Sequence, residues 1–296
     1  MKKCVLCFLV LLTFVSSVFS QGLNDTTLRR QIAQVAKQVK GVTGVSVLNL
    51  ETGDTVSYNG KARLVLQSVM KFPIALTVLH WVDTGKLQLT QVIHITRRDL
   101  PKDTYSPLRD KFPKGTDMQL SDVLTYMVSE SDNNACDILL GLLGGPKTVQ
   151  AYLLQLGIRG IAVRTSEADM AASWDLQFVN WSKPVEMTAL LKMFYTGKIL
   201  TQPLTDTLTR MMTQTTTGPQ RLKGLLPVGT VVAHKTGSSG TQGGITPATN
   251  DVGIITLPNG KHIIISVFIC NAGGDDAARE GAIAKIARAT YDFYNR

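Results

Sequence analysis

Apolar residues recur at helical spacing from Thr27 to Lys40 and stop at Gly41. Val45-Ser46-Val47-Leu48-Asn49 and Thr55-Val56-Ser57-Tyr58 flank the turn residues Thr52-Gly53-Asp54, a pattern that predicts a β-hairpin. The pattern is helical from Ser68 to about Thr84 and mostly helical from about Ser121 to Tyr195. Gly144-Gly145-Pro146 and an irregular polar stretch, Arg164 to Pro184, interrupt the longer segment. Strand character returns at Thr230 to His234, Val252 to Leu257 and His262 to Cys270, and a last helix is predicted over Ala277 to Tyr294. Strands at both ends with helices between them predict an α+β fold, an α/β sandwich in which an antiparallel sheet is flanked by helices. The sheet lobe would comprise about 21–66 and 215–296, and an all-helical lobe about 67–214. A cleft between two such lobes is where a small-molecule site is expected.

The first twenty residues read as a signal peptide. Lys2 and Lys3 precede an uncharged apolar run, Cys4 to Val15, and Val18-Phe19-Ser20 sets small residues for a cut ahead of Gln21. The run is short of the roughly 20 apolar residues that a membrane span needs, so the mature chain, 21–296, is expected to be secreted or periplasmic without a span. Hydrophobic residues at 44% supply a sizeable core, and charged residues at 18% argue against extended disorder. The formal charge of +9 invites a nucleic-acid reading, but the basic residues are scattered and not interleaved with aromatics. An anionic small substrate suits that charge better. Cys4 and Cys7 leave with the signal peptide; Cys136 and Cys270 remain, and buried thiols are the favoured state over a bridge. His80, His94, His234 and His262 lack paired ligand spacing, so no metal or other cofactor is expected and each histidine reads as structural. A monomer is the default.

Three short motifs carry candidate chemistry. Ser68-Val69-Met70-Lys71 opens a predicted helix, where free backbone N–H groups can hold an oxyanion and Lys71 lies on the same face as Ser68. Alone, it reads as an N-cap and a solvated lysine. Ser131-Asp132-Asn133 offers a hydroxyl for proton relay and an amide for a substrate carbonyl; alone, it is a polar turn, with Asp132 as its brace. Lys235-Thr236-Gly237 ends a strand-like run, where a lysine and a hydroxyl can bind a carboxylate and a glycine admits close approach to the backbone. Alone, it is a strand followed by a turn.

Together they are far more specific. S-x-x-K, S-D-N and K-T-G, once each and in that order, are the signature of class A β-lactamases and penicillin-binding proteins. The chain resembles class A along nearly all of its mature length, including Thr104-Tyr105-Ser106-Pro107, which is similar to the family's tyrosine wall. The resemblance implies the serine β-lactamase/DD-peptidase fold and hydrolysis of the β-lactam amide through an acyl-enzyme, conferring antibiotic resistance. Ser68 would be the nucleophile, and its N–H with that of Ser238 the oxyanion hole. Lys71 and Ser131 would move protons, Asn133 would hold the substrate side-chain amide, and Tyr105 would belong to the substrate-binding site. Lys235, Thr236, Gly237 and Ser238 would receive the β-lactam carboxylate end. Glu167, in a segment resembling the family's Ω loop, would activate the deacylating water.

The departures are equally informative. Ala171 stands where the family usually has a water-holding Asn, Thr165 where it has Arg, and Asn180 where it has a loop-closing Asp. The ion pair across the loop is expected to be absent and the loop wider. No arginine follows Lys235 until Arg279, so Arg221 takes the alternative position for a carboxylate anchor; otherwise it is a solvated loop residue. With Gly243-Gly244 and Thr249-Asn250-Asp251, this set resembles the extended-spectrum, cephalosporin-hydrolysing branch. The rivals are a DD-peptidase or penicillin-binding protein and a β-lactam-sensing module, neither of which needs a deacylating Glu167.

Overall fold

A computed structural model describes residues 26–296. The proposed signal peptide and its cleavage point lie outside the described residues. The chain begins with α1 (26–36), followed by the hairpin β1 (Val42–Asn49) and β2 (Thr55–Tyr58). After β3 (Leu64–Val65) and a single 3-10 turn, Gln67–Met70, come α2 (Lys71–Asp83), β4 (Val92–Thr96), α3 (Pro107–Lys111) and β5 (Gly115–Gln119). The central segment continues through α4 (Leu120–Ser129), α5 (Asn133–Leu142), α6 (Pro146–Gln155), β6 (Ile161–Ala162) and α7 (Glu167–Ala172). It ends with β7 (Trp181–Ser182), α8 (Pro184–Tyr195) and α9 (Gln202–Thr213). Then come β8 (Val232–Ser238), β9 (Thr246–Thr256), β10 (His262–Ala272) and α10 (Asp276–Tyr294).

Five strands form one antiparallel sheet in the order β2-β1-β10-β9-β8, so both ends of the chain contribute and β8 is an edge. Alternation along β10 explains why both faces are covered. Ile263, Ile265, Val267 and Ile269 join a core with Leu28 and Ile32 of α1 and Ile283 and Ile286 of α10. Ile264 and Phe268 point the other way, into the larger core that α2, α4, α5 and α8 share. Between them Ser266 points to α8, where Thr188 Oγ1 donates to it at 3.0 Å.

The sequence pattern is borne out in outline and is too short at two strands. β8 runs on from His234 through Ser238, and β9 begins at Thr246, six residues before the predicted Val252. The strand pattern begins only after the polar Thr249, Asn250 and Asp251, yet all three are buried with their polar atoms satisfied inside. Cys136 and Cys270 are buried free thiols.

Candidate active site

Ser68 lies in the 3-10 turn, so the serine precedes the α-helix that Lys71 opens. Its predecessor, Gln67, has φ +47°, a left-handed conformation that a non-glycine residue adopts only when its surroundings hold it. They do: Leu66 N donates to Asn180 O at 3.0 Å, and Gln67 Nε2 donates to Gln177 Oε1 at 3.2 Å. From the sheet side, Asn250 Nδ2 donates to Val65 O at 2.7 Å and Leu66 O at 3.1 Å. The turn is thus clamped between β9 and the 164–184 segment.

Lys71 is fully buried, and four oxygens surround its Nζ. Ser68 Oγ is at 3.0 Å, Ser131 O at 2.7 Å, Asn133 Oδ1 at 2.5 Å and Glu167 Oε1 at 2.9 Å. An ammonium has three hydrogens, so one of these four is not a recipient. Glu167 Oε1 also stands 3.4 Å from Ser68 Oγ. Sequence positions 68, 71, 131, 133 and 167 therefore converge on one nitrogen.

Ser131 is the second strained residue, with φ +58°. Its carbonyl turns to Lys71, while its Oγ accepts from Lys235 Nζ at 2.9 Å. Asp132 does brace this turn: its buried carboxylate accepts from Ser106 Oγ, Leu108 N and Ala135 N. Burial raises its pKa above the usual carboxylate range, and those hydrogen bonds oppose the rise. Asn133 has its amide engaged at both ends, by Lys71 and by Thr104 Oγ1 at 2.6 Å, which leaves one N–H of its NH₂ group unused. Tyr105 is exposed beside it, and its carbonyl accepts from Asn133 N at 3.0 Å.

β8 brings in the third motif. Ser239 N donates to Ala248 O. By antiparallel alternation, Lys235 and Gly237 also bond toward β9, and the N–H groups of Thr236 and Ser238 face off the sheet edge. Lys235 is completely buried; burial, then the neighbouring Lys71 cation, pushes its pKa well below the usual lysine range. Thr236 Oγ1 is 2.5 Å from Thr217 Oγ1. Gly237 is required by the fold: a Cβ there would sit 2.5 Å from Leu66 O.

Arg221 is not a solvated loop residue. It is buried, with Nη1 donating to Gly237 O at 3.1 Å and Asn250 O at 3.0 Å, and Nη2 donating to Ser238 Oγ at 2.7 Å. Its Nε pairs with Glu280 Oε1 at 3.0 Å.

The 164–184 segment is closed without an ion pair between positions 165 and 180. Asn180 Oδ1 accepts from Arg164 N at 2.7 Å and Thr165 N at 3.2 Å, and its Nδ2 donates to Thr165 O at 3.0 Å. Glu167 opens α7 behind a capping box of Ser166 and Asp169. Two residues that sequence reasoning passed over also act here. Asp137 of α5 accepts from Glu167 N at 2.9 Å and Ala168 N at 2.8 Å, and Gln177 fastens the Ser68 turn. Ala171 offers no polar side chain.

Among the described residues no group of three or more His, Cys, Asp and Glu is arranged to hold a metal, and no helix is long and apolar enough to cross a membrane. His94 pairs with Asp117, His262 with Glu51, and His80 stacks on Tyr152.

A family model described as the β-lactamase enzyme family matches residues 27–294. β-Lactamase VEB-1 of Pseudomonas aeruginosa is 43% identical over 289 residues, covering 97% of this chain and 96% of that protein. Extended-spectrum β-lactamase PER-1 of the same species is 37% identical, covering 98% of this chain and 95% of that protein. The crystal structure of a β-lactamase from Chitinophaga pinensis superposes with a TM-score of 0.90 at 48% identity, covering 91% of this chain and 100% of that chain.

Proposed function

The chain belongs to the β-lactamase enzyme family, as a class A serine β-lactamase that hydrolyses the β-lactam amide, and from that premise we propose a role for each residue of the site. Ser68 is the nucleophile. Lys71 and Glu167 act as one unit: when the Lys71 proton on the 2.9 Å contact passes to Glu167, the neutral amine turns about its Cε–Nζ bond to bring its lone pair onto the Ser68 hydroxyl at 3.0 Å. Ser68 Oγ then attacks the lactam carbonyl while its proton moves to Lys71. The N–H groups of Ser68 and Ser238 hold the oxyanion. When the C–N bond breaks, Ser131 gives its proton to the leaving nitrogen and is resupplied along its 2.9 Å contact with Lys235. Once the acyl-enzyme has formed, the proton held by Glu167 returns by way of Lys71 to the Ser131–Lys235 pair, so that Lys235 is again cationic and Glu167 again ionised. For deacylation, Glu167 takes a proton from the attacking water, whose oxygen bonds to the ester carbonyl, and passes it to Ser68 Oγ as the ester C–O bond breaks. Lys235, Thr236 and Ser238 seat the substrate carboxylate, with Arg221 supplying charge from behind. Asn133 and Tyr105 contact the acylamino side chain.

The observation that carries this reading is the single oxygen, Glu167 Oε1, within reach of both Ser68 and Lys71. That is the group a penicillin-binding protein or a sensor does not need. PER-1 is named for an extended spectrum, and we extend cephalosporin hydrolysis to this chain by that likeness. Family membership makes it an exported enzyme of the kind found in the periplasm; we assign export to residues 1–20, with cleavage between Ser20 and Gln21. The division into lobes at about 21–66 with 215–296 and 67–214 is likewise our proposal. A chromogenic cephalosporin tests the function: sustained turnover by the parent and none by Ser68→Ala is expected. A stoichiometric burst without turnover would point to a penicillin-binding protein instead.

A further inference from the structure

Thr236 meets a second hydroxyl that no step above uses. Its Oγ1 lies 2.5 Å from Thr217 Oγ1, and neither oxygen has another hydrogen-bond partner among the described residues. Thr217 lies in the loop between α9 and β8, and its neighbours fix that loop on two sides. Thr215 Oγ1 donates to His234 O at 2.7 Å, which ties the loop to β8. Thr216 N donates to Ser129 O at 3.0 Å and Thr216 Oγ1 to Glu130 Oε2 at 2.9 Å, which tie it to the end of α4. Gly218 follows in a left-handed conformation, φ +62°. It lets the loop lie against the carboxylate seat, because a Cβ there would stand 2.7 Å from Thr236 Cγ2 and 3.0 Å from Arg221 Cδ.

A contact that short needs a hydrogen between the two oxygens, and either hydroxyl can supply it. The two choices present different faces to a substrate. If Thr236 donated, its hydrogen would be spent on Thr217, and an anion would meet only lone pairs at Thr236. If Thr217 donates, the Thr236 hydrogen is free to turn to the carboxylate, which can only accept. The chain from Thr217 O–H to Thr236 O–H to carboxylate puts every hydrogen on an acceptor, and each bond polarises the next.

We propose that Thr217 is a positioning residue that donates to Thr236 and so aims the Thr236 hydroxyl at the substrate carboxylate. It acts through Thr236 without touching the substrate, and the inference rests on the carboxylate-seating role given to Thr236 above.

Steady-state kinetics with an anionic cephalosporin test it. Thr217→Val keeps the shape and removes the hydroxyl. It should raise KM roughly fivefold, the worth of one hydrogen bond, with kcat close to the parent value. Thr217→Ser keeps a donor and should keep the parent KM. The methyl ester of the same cephalosporin carries no carboxylate, so its kcat/KM should be equal in the parent and in Thr217→Val. An equal loss on the ester would show a structural defect and overturn the proposal. The decisive arm is Thr217→Val made together with Thr236→Val. With the intermediary gone, the second substitution should add nothing to the KM that Thr236→Val has already raised. A further fivefold rise would mean that Thr217 binds the carboxylate itself, and a parent KM in Thr217→Val would mean that its hydroxyl takes no part; either contradicts the proposal. A parent KM in Thr236→Val would instead remove the seating role of Thr236, and the inference with it.

Discussion

Burial pushes the Asp137 carboxyl from 3.8 up to about 6, against two backbone hydrogen bonds that favour the charged form. The nearby Glu167 carboxylate adds to the rise. A raised carboxyl pKa means that the folded protein holds this proton more tightly than the unfolded chain does. Stability from this group is therefore greatest in acid and is lost as pH rises from about 4 to about 6. Asp137→Asn lacks that dependence, so the parent's Tm advantage over the variant should shrink as pH is raised from 4 to 7. A difference that stays constant across that range would show that Asp137 does not titrate there. Arg221 makes a second prediction at this scale. Arg221→Ala removes the charge behind the carboxylate seat and frees Ser238 Oγ, so KM should rise roughly tenfold, equivalent to about 1.4 kcal/mol of lost binding, with kcat changed less. An unchanged KM would leave Arg221 with a purely structural place.

The 164–184 segment shows how one element is rebuilt when its usual fastening is missing. An amide can donate and accept, and Asn180 does both, receiving two backbone N–H groups on Oδ1 and donating from Nδ2 to Thr165 O. Asn180→Asp would restore the residue usual in the family, yet here it sets a carboxylate oxygen against a carbonyl in a fully buried position. The substitution should destabilise the protein by about 3 kcal/mol, measured by denaturant midpoint; a neutral effect would mean the segment can re-form an ionic closure. The same element marks the limit of sequence reading. Ser68, Lys71, Ser131, Asn133 and Lys235 are legible because each sits in a short motif whose spacing encodes its face. The absence of the ion pair was legible too, from Thr165 and Asn180. What replaces it was not, since Asn180, Asp137 and Asn250 act through partners 15 to 185 residues away. Polar residues of that kind read as loop until the structure shows what they hold. Hence the hydrophobic pattern starts β9 six residues late, at Val252 rather than Thr246.

On the scale of the molecule, the site lies where an edge strand meets the helical core. One hydrophobic core joins the sheet to α1 and α10, and the other joins it to the central helices. β8 belongs to the first assembly and α2 to the second, and the Ser68 turn is pinned to both by Asn250 and Asn180. That double anchoring holds the left-handed Gln67 at a cost of about 1–3 kcal/mol, and the Asp132 brace holds the left-handed Ser131 at a similar cost. The result is a serine within 3.0 Å of a buried lysine and 3.4 Å of a buried glutamate. The central claim is a division of labour, with acylation on Ser68 and its release through Glu167. Intact-protein mass spectrometry of Glu167→Ala, mixed with a cephalosporin, tests it directly. The account predicts a persistent adduct that maps to Ser68, while the parent shows none after turnover. An adduct cleared at the parent rate, or mapped to any other residue, would contradict it.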